Sequence, residues 1–133
     1  MPSPRRIVLK FGSGILARAR GSGLDEKQFQ RLTAEIAGLV RKGHQCVVVS
    51  SGAVAAGLGV LGLKERPESL AARQACAAVG QSKLMESYAR HFGRHKLNVA
   101  QLLLTHGDLD SRIRHENAQT PSNTSSANAP SCR

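Results

Sequence analysis

The sequence predicts an α/β fold: a three-layer α/β/α sandwich with a mostly parallel sheet. Short apolar runs at 7–11, 45–50 and 99–104 alternate with longer segments of helical periodicity. The runs are nearly continuous rather than alternating, as in strands buried on both faces of a parallel sheet. The resulting order, β-α-β-α-α-β-α, is typical of helices packed on such a sheet.

The first strand is predicted at 7–11, and four glycines between 12 and 23 indicate a loop. A helix is predicted from about Asp25 to Lys42, because its apolar residues recur at spacings of three and four. That stripe consists of Phe29, Leu32, Ile36, Leu39 and Val40. Asp25 fits an N-cap, and Gly43 fits a helix end.

A second strand is predicted at 45–50 and a helix at about 53–61. A long helix is expected from Ser69 to about Arg94. Gly80 lowers the helix propensity in its middle, so we expect a close packing contact there. The apolar residues assigned on or near one side of this helix are Leu70, Cys76, Ala77, Val79, Leu84, Tyr88 and Phe92.

The C-terminal part holds a third predicted strand at 99–104 and a short helix from Asp108 to about Gln119. We assign 1–119 to one domain and expect a disordered tail at 120–133, which has no apolar periodicity. Three strands are few for a parallel sheet, whose faces and edges need cover. We therefore expect a truncated chain, the front of a larger fold.

The net charge of +10, from 19 Lys and Arg against 9 Asp and Glu, raises the question of nucleic-acid binding. The basic residues are scattered, and there is no Trp, one Tyr and three Phe to stack on bases. We therefore expect no nucleic-acid partner. No apolar run has the length of a membrane span or a signal peptide, which favours a cytoplasmic protein without membrane association.

The three cysteines, Cys46, Cys76 and Cys132, form no CxxC pair. Cys46 and Cys76 fall in a predicted strand and helix, where they are interpreted as small core residues. His91 and His95 stand four apart on a helix, but no third ligand is evident and their neighbours are basic. A solvated basic face is the preferred interpretation, and no metal site is predicted.

Two strand ends carry groups that suit anions. Lys10 closes the first strand, and 12–14 turns the chain with small residues. The segment 51–53 leads from the second strand directly into a helix, whose first amides attract anions. If these ends lie side by side in one sheet, they form a pocket for phosphate and carboxylate groups.

Four segments together resemble the N-terminal part of the bacterial glutamate 5-kinases, a branch of the amino acid kinase family. The resemblance covers residues 5–119 and makes 1–119 the N-terminal part of an amino acid kinase domain. The Ser-Ser-Gly-Ala-Val-Ala-Ala-Gly and Val-Gly-Gln runs favour this branch over acetylglutamate, aspartate, carbamate and uridylate kinases. The matching segments are 7–13, 48–57, 74–81 and 99–105.

The resemblance implies that ATP, with Mg²⁺, donates its terminal phosphoryl group to the side-chain carboxylate of L-glutamate. The product, glutamyl 5-phosphate, starts proline biosynthesis, and full-length members are candidates for homo-oligomers. It implies that Lys10 is catalytic and bridges the transferred phosphoryl oxygens, with Gly12 and Ser13 offering backbone N–H groups to the phosphates. The glutamate-binding residues that it implies are Ser51, Gly52 and Ala53.

The chain departs from the family pattern in two places. Gly14 stands where the family carries a hydroxyl, and the second half of the family, with its Asn-Glu-Asn-Asp loop, has no match. We therefore expect impaired kinase activity. We hypothesise that 120–133 is a frameshifted reading, because one base restored after the Gln119 codon gives leucines at helical spacing. The alternative function is a non-catalytic basic binding or interaction module derived from a kinase fragment.

Overall fold

The computed structural model describes residues 3–19 and 22–102. Its elements in chain order are β1 (Arg6–Phe11), α1 (Ser13–Leu16), α2 (Glu26–Arg41), β2 (Gln45–Ser50), α3 (Ala53–Leu61) and α4 (Leu70–Gly93). The α/β class is therefore confirmed. The elements confirm the two strands predicted before residue 51 and all three longer helices, with bounds that differ by at most one residue.

β1 and β2 pair in parallel, with Lys10 opposite Val49 and Phe11 opposite Ser50. Within the described part of the chain, these two strands make up the sheet. The strand predicted at 99–104 is wrong for 99–102, which form no strand, and its last two residues lie outside the described ranges. An apolar run becomes a strand only when a neighbouring strand pairs with it, and sequence alone does not supply that neighbour.

α2 begins and ends where its sequence predicts. The Asp25 carboxylate accepts hydrogen bonds from the backbone N–H groups of Lys27 (3.0 Å) and Gln28 (3.2 Å). Gly43 follows the helix with a φ of 87°, a conformation that glycine adopts without strain. The predicted apolar stripe is confirmed, because Phe29, Ile36 and Val40 are all buried. This stripe belongs to the hydrophobic core, and the partly buried Leu9 and Val48 from one face of the sheet pack against that core.

α3 and α4 pack against each other at two glycines. A Cβ at Gly80 would overlap the carbonyl oxygen of Ala53, and a Cβ at Gly57 would overlap that of Cys76. The expected close contact at Gly80 is thus confirmed. Two of the apolar residues assigned to the packed side of α4 are instead exposed, namely Leu70 and Val79. The buried face of α4 is a narrower stripe that contains Cys76, Leu84, Tyr88 and Phe92.

The described residues of the predicted loop at 12–23, namely 12–19 and 22–23, hold more regular structure than the prediction gave them. They form the short helix α1, followed by an antiparallel bridge between Ala17 and Leu24. Leu16 and Leu24 are buried, and the burial of these two side chains anchors both sides of the Ala17–Leu24 bridge to the core. The prediction considered only the glycines and missed this anchoring.

Several expectations fall outside the described residues. They concern the helix at 108–119, the tail at 120–133 and Cys132. Among the described helices, none combines the length and apolar character needed to cross a bilayer.

Candidate functional site

The two predicted strand ends lie at the same edge of the sheet. Because Phe11 is opposite Ser50 in a parallel pair, Gly12 and Ser51 leave the sheet side by side. Neighbouring strands are about 4.8 Å apart, which is within the span of one small anion and its ligands. The structure therefore brings together both groups of residues that the sequence singled out.

Lys10 is exposed and shares a sheet face with Val49, its partner in the register. Within the described ranges, no carboxylate pairs with its ammonium group. An unpaired ammonium at the end of a strand can neutralise a bound phosphate.

The turn after β1 leaves its backbone accessible. The Gly12 carbonyl accepts a hydrogen bond from the Ile15 N–H (3.1 Å), which closes the first turn of α1. A Cβ built at Gly12 or Gly14 would meet no atom within 4 Å. The Ser13 amide at the start of α1 therefore faces a segment that a ligand can approach.

The turn after β2 presents the start of α3. Gly52 is the N-cap residue and has no side chain to cap the helix, and Ser51 beside it is exposed. A Cβ at Gly52 would lie 3.3 Å from the Cδ1 atoms of both Leu16 and Leu84. Packing therefore favours glycine here, and the amides from Ala53 onward remain open to an anion.

Two buried hydroxyl groups lie beneath this turn, and the sequence analysis did not identify them as a pair. The hydroxyl oxygens of Ser50 and Tyr88 are both buried, and the two groups lie close to each other. Burial raises the pKa of the Tyr88 phenol above 10.0, and the nearby Ser50 hydroxyl partly offsets this effect. Strand alternation was the available signal, since Ser50 shares the core-facing side with Val48.

The solvated basic face predicted around His91 and His95 is wrong for His91, which is only 2% exposed. Its Nε2–H donates to Glu26 Oε2 at 2.7 Å, and its ring stacks on Phe29 with centroids 5.6 Å apart. His91 follows Leu84 by seven residues, so helical periodicity places both on the buried face.

Glu26 also accepts two hydrogen bonds from Nη2 of Arg90, at 2.7 and 2.8 Å. Burial raises the pKa of the Glu26 carboxyl, but the hydrogen bonds from His91 and Arg90 outweigh it, so the pKa lies below its ordinary 4.5. This cluster joins the start of α2 to α4 and stands apart from the strand ends.

The described residues contain no group of three or more His, Cys, Asp or Glu that could hold a metal ion. Neither Cys46 nor Cys76 takes part in a disulfide within the described residues. Cys76 is buried and Cys46 packs half-buried against the core, which confirms their interpretation as small core residues.

A cavity of about 430 Å³ lies elsewhere, between the Ala17–Leu24 bridge, α3 and α4. Arg18, Lys83 and Ser87 line it, and the strand-end residues do not. The candidate site is thus an open edge of the sheet rather than an enclosed pocket.

Comparison with known proteins agrees with the motifs at this edge. The profile of the amino acid kinase family matches residues 5–128. The chain belongs to the amino acid kinase family. Its similarity to "Glutamate 5-kinase" of Teredinibacter turnerae is 48% identity over 116 residues, 87% of this chain and 31% of that protein.

Two further relatives carry the same name. The chain is 49% identical over 115 residues to the one of Citrifermentans bemidjiense, covering 86% of this chain and 31% of that protein. It is 50% identical over 119 residues to the one of Desulfitobacterium hafniense, covering 90% of this chain and 32% of that protein. This amino acid kinase chain thus spans about a third of the length of these relatives. None of them supports the alternative of a non-catalytic basic module.

Proposed function

We propose that the shared edge of β1 and β2 is the phosphate- and glutamate-binding part of an ATP-dependent glutamate 5-kinase. The observation that supports the proposal is the parallel register, in which Lys10 lies opposite Val49 and Phe11 opposite Ser50, so that β1 and β2 end side by side. The relatives named glutamate 5-kinase support the choice of L-glutamate and ATP as substrates.

The reaction must bring two anions together, the side-chain carboxylate of glutamate and the triphosphate of ATP. Lys10 bridges the oxygens of the transferred phosphoryl group and lowers the repulsion between the two anions. Gly12 and Ser13 hold the phosphates through their backbone N–H groups. Ser51, Gly52 and Ala53 hold glutamate at the uncapped start of α3, so that attack becomes a positioned, unimolecular step.

Mg²⁺ accompanies ATP in this proposal, but the strand-end residues do not fit a site for the ion itself. Neither 10–13 nor 50–53 contains a carboxylate, the ligand that Mg²⁺ takes most readily from proteins. These residues fit phosphate instead. No step of the proposed mechanism is routed through the metal, and we expect the 133-residue chain alone to turn over glutamate poorly.

The similarity to the glutamate 5-kinases also suggests the complete fold, the cellular location and the biosynthetic role. We propose a three-layer α/β/α sandwich for the complete amino acid kinase domain, a cytoplasmic location and a role at the start of proline biosynthesis. The observed parallel pair and its packed helices support the first of these.

Calorimetric titration of the 133-residue chain with ATP and, separately, with L-glutamate tests the proposed roles. Lys10→Ala should weaken ATP binding at least tenfold and leave glutamate binding nearly unchanged, whereas Ser51→Ala should do the reverse. Lys64→Ala, at an exposed lysine after α3, is the matched control. If Lys10→Ala binds ATP as tightly as the Lys64→Ala control, Lys10 does not hold phosphate and the proposal is wrong.

A further inference from the structure

Two hydroxyl groups meet where β2 ends, one from the strand and one from α4. Ser50 is the last residue of β2 and lies opposite Phe11 of β1 in the register. Tyr88 lies on the buried face of α4 and is 7% exposed. The hydroxyl oxygens of both side chains are buried and lie close to each other. α4 therefore reaches the strand end from which the turn at 51–53 starts.

The Tyr88 ring is held between two other aromatic rings. Phe29 of α2 meets it edge-on with ring centroids 5.0 Å apart. Phe92, four residues further along α4, stacks on it with centroids 6.1 Å apart. Aromatic pairs prefer such edge-on and offset arrangements, so these contacts fix the orientation of the ring. The phenol oxygen consequently has a defined position, and its hydrogen can rotate toward an acceptor.

The two hydroxyl groups are chemically suited to each other. Each can donate one hydrogen bond and accept others, so one bond between them gives both groups a partner. Burial raises the pKa of the Tyr88 phenol, which therefore keeps its proton at neutral pH and can donate it to Ser50 Oγ. Separation of the pair would leave buried hydroxyl groups without a partner, which is unfavourable.

The same helix supports the turn at a second point. A Cβ at Gly52 would lie 3.3 Å from Cδ1 of Leu84, which precedes Tyr88 by four residues, about one helical turn. α4 thus contacts both sides of the turn, through Leu84 at Gly52 and through Tyr88 at Ser50. The backbone amides at 51–53 are therefore held in place before a ligand arrives, and such preorganisation strengthens binding.

We propose that Tyr88 is a positioning residue for the glutamate site, whose hydroxyl binds that of Ser50 and thereby holds the turn at 51–53 in the conformation that binds glutamate. Tyr88 itself does not touch the ligand, because its side chain belongs to the hydrophobic core. This inference rests on the proposed function, in which 51–53 hold glutamate. The phosphate-binding residues Gly12 and Ser13 follow β1 instead, so the effect of Tyr88 is confined to glutamate.

Tyr88→Phe tests the contact, because it removes the hydroxyl and keeps the ring in the core. Calorimetric titration with L-glutamate should show an affinity that is weaker by about threefold to tenfold, the range of one hydrogen bond. The affinity for ATP should not change. Ser50→Ala should weaken glutamate binding to a similar extent, and the double variant should bind no more weakly than either single variant. Ser50→Thr, which keeps a hydroxyl, should recover most of the affinity.

Ser87→Ala is the matched control, because it removes another buried hydroxyl from the neighbouring position of α4 and should leave glutamate binding unchanged. Hydrogen exchange in the ligand-free chain gives a second readout. The Ala56 amide donates to the Gly52 carbonyl at 3.0 Å and reports on the start of α3. Its exchange should become faster in Tyr88→Phe while that of Ile36 in α2 does not, whereas a general loss of stability would accelerate both.

The results distinguish this inference from the proposed function. If Ser51→Ala weakens glutamate binding and Tyr88→Phe does not, the positioning role is wrong and the glutamate site stands. If Ser51→Ala has no effect, the glutamate site itself is wrong and the positioning role fails with it. Equal exchange of the Ala56 amide in wild type and Tyr88→Phe, or an equal loss of affinity in Ser87→Ala, would also overturn the inference.

Discussion

Glu26 at the start of α2 and His91 near the end of α4 are joined by a 2.7 Å hydrogen bond between Oε2 and Nε2. Because an ionised carboxylate only accepts hydrogen bonds, Nε2 carries the proton. The bond ties together two helices that are 65 residues apart in sequence at this point, and Arg90 holds the same carboxylate from the other side.

Replacement of the Glu26 carboxylate should make the free energy of unfolding depend less on pH in the acidic range. The pKa of Glu26 is lower in the fold than its ordinary 4.5, so its contribution is present above that pH and is lost as the pH falls through the lowered pKa. Glu26→Gln should lower the free energy of unfolding at pH 7 by about 1 kcal/mol, since the carboxylate is half exposed. Urea unfolding from pH 7 to pH 3 measures this.

The unfolding free energies of wild type and Glu26→Gln should converge at low pH, where the wild-type carboxylate is protonated. Glu35→Gln is the matched control, because Glu35 forms only an exposed pair with Arg31 at 4.0 Å. An unchanged difference between wild type and Glu26→Gln across the whole pH range would contradict the account.

Gly80→Ala should destabilise the chain severely. The added methyl group would overlap the Ala53 carbonyl and the backbone of Gly57, so α3 and α4 would have to separate. We expect a loss of about 3 kcal/mol or more in unfolding free energy, at the upper end of overpacking effects. Thermal unfolding followed by circular dichroism measures it.

Gly38→Ala should change the stability of the chain in the opposite direction in the same thermal unfolding assay. Gly38 lies inside α2, and a Cβ there meets no atom within 4 Å. Alanine should therefore stabilise the chain by about 0.5–1 kcal/mol through its better helix propensity. Similar effects of the two substitutions would show that the glycine contact between α3 and α4 is misplaced.

Gly52→Ala should reduce glutamate binding with a smaller loss of stability than Gly80→Ala. Its Cβ would press at 3.3 Å on the ends of two flexible leucine side chains, which can yield, but the start of α3 would shift. We expect about 1 kcal/mol of destabilisation. Calorimetry with L-glutamate should show a several-fold weaker affinity, and binding at wild-type strength would count against the proposed role of this turn.

Asp25→Ala should cost about 1 kcal/mol in unfolding free energy, the usual loss of an N-cap. Asp25 accepts from two backbone N–H groups at the start of α2. Asp25→Ser keeps a capping oxygen and should recover most of the stability in the same urea titration. An equal loss in both variants would mean that the cap contributes little.

Local patterns predicted most of the described fold. α2 was predictable because its cap, its apolar spacing and its terminal glycine all agree, and β2 because an apolar run meets a turn. The lack of a strand at 99–102 was not predictable from the apolar run alone, because strand formation depends on pairing with a neighbouring strand that the local sequence does not reveal.

The candidate site was predicted in outline but not in its supporting contacts. Residue types and their positions at strand ends singled out Lys10 and Ser51 as candidates, and the parallel pairing of β1 and β2 brings the two strand ends to one edge of the sheet. The buried position of His91 was not predicted, because its basic neighbours in sequence indicate a solvated face. The packing of Leu16 and Leu84 around Gly52 joins parts of the chain that no local pattern connects.

Amide chemical shifts tell most directly whether the two strand ends form one anion site. The ¹H–¹⁵N spectrum of the 133-residue chain would be recorded during titration with L-glutamate and then with ATP. We expect the largest shifts at Ser51, Gly52 and Ala53 for glutamate, and at Gly12 and Ser13 for ATP. Shifts confined to residues around the cavity, such as Lys83 and Ser87, or no shifts at either strand end, would contradict it.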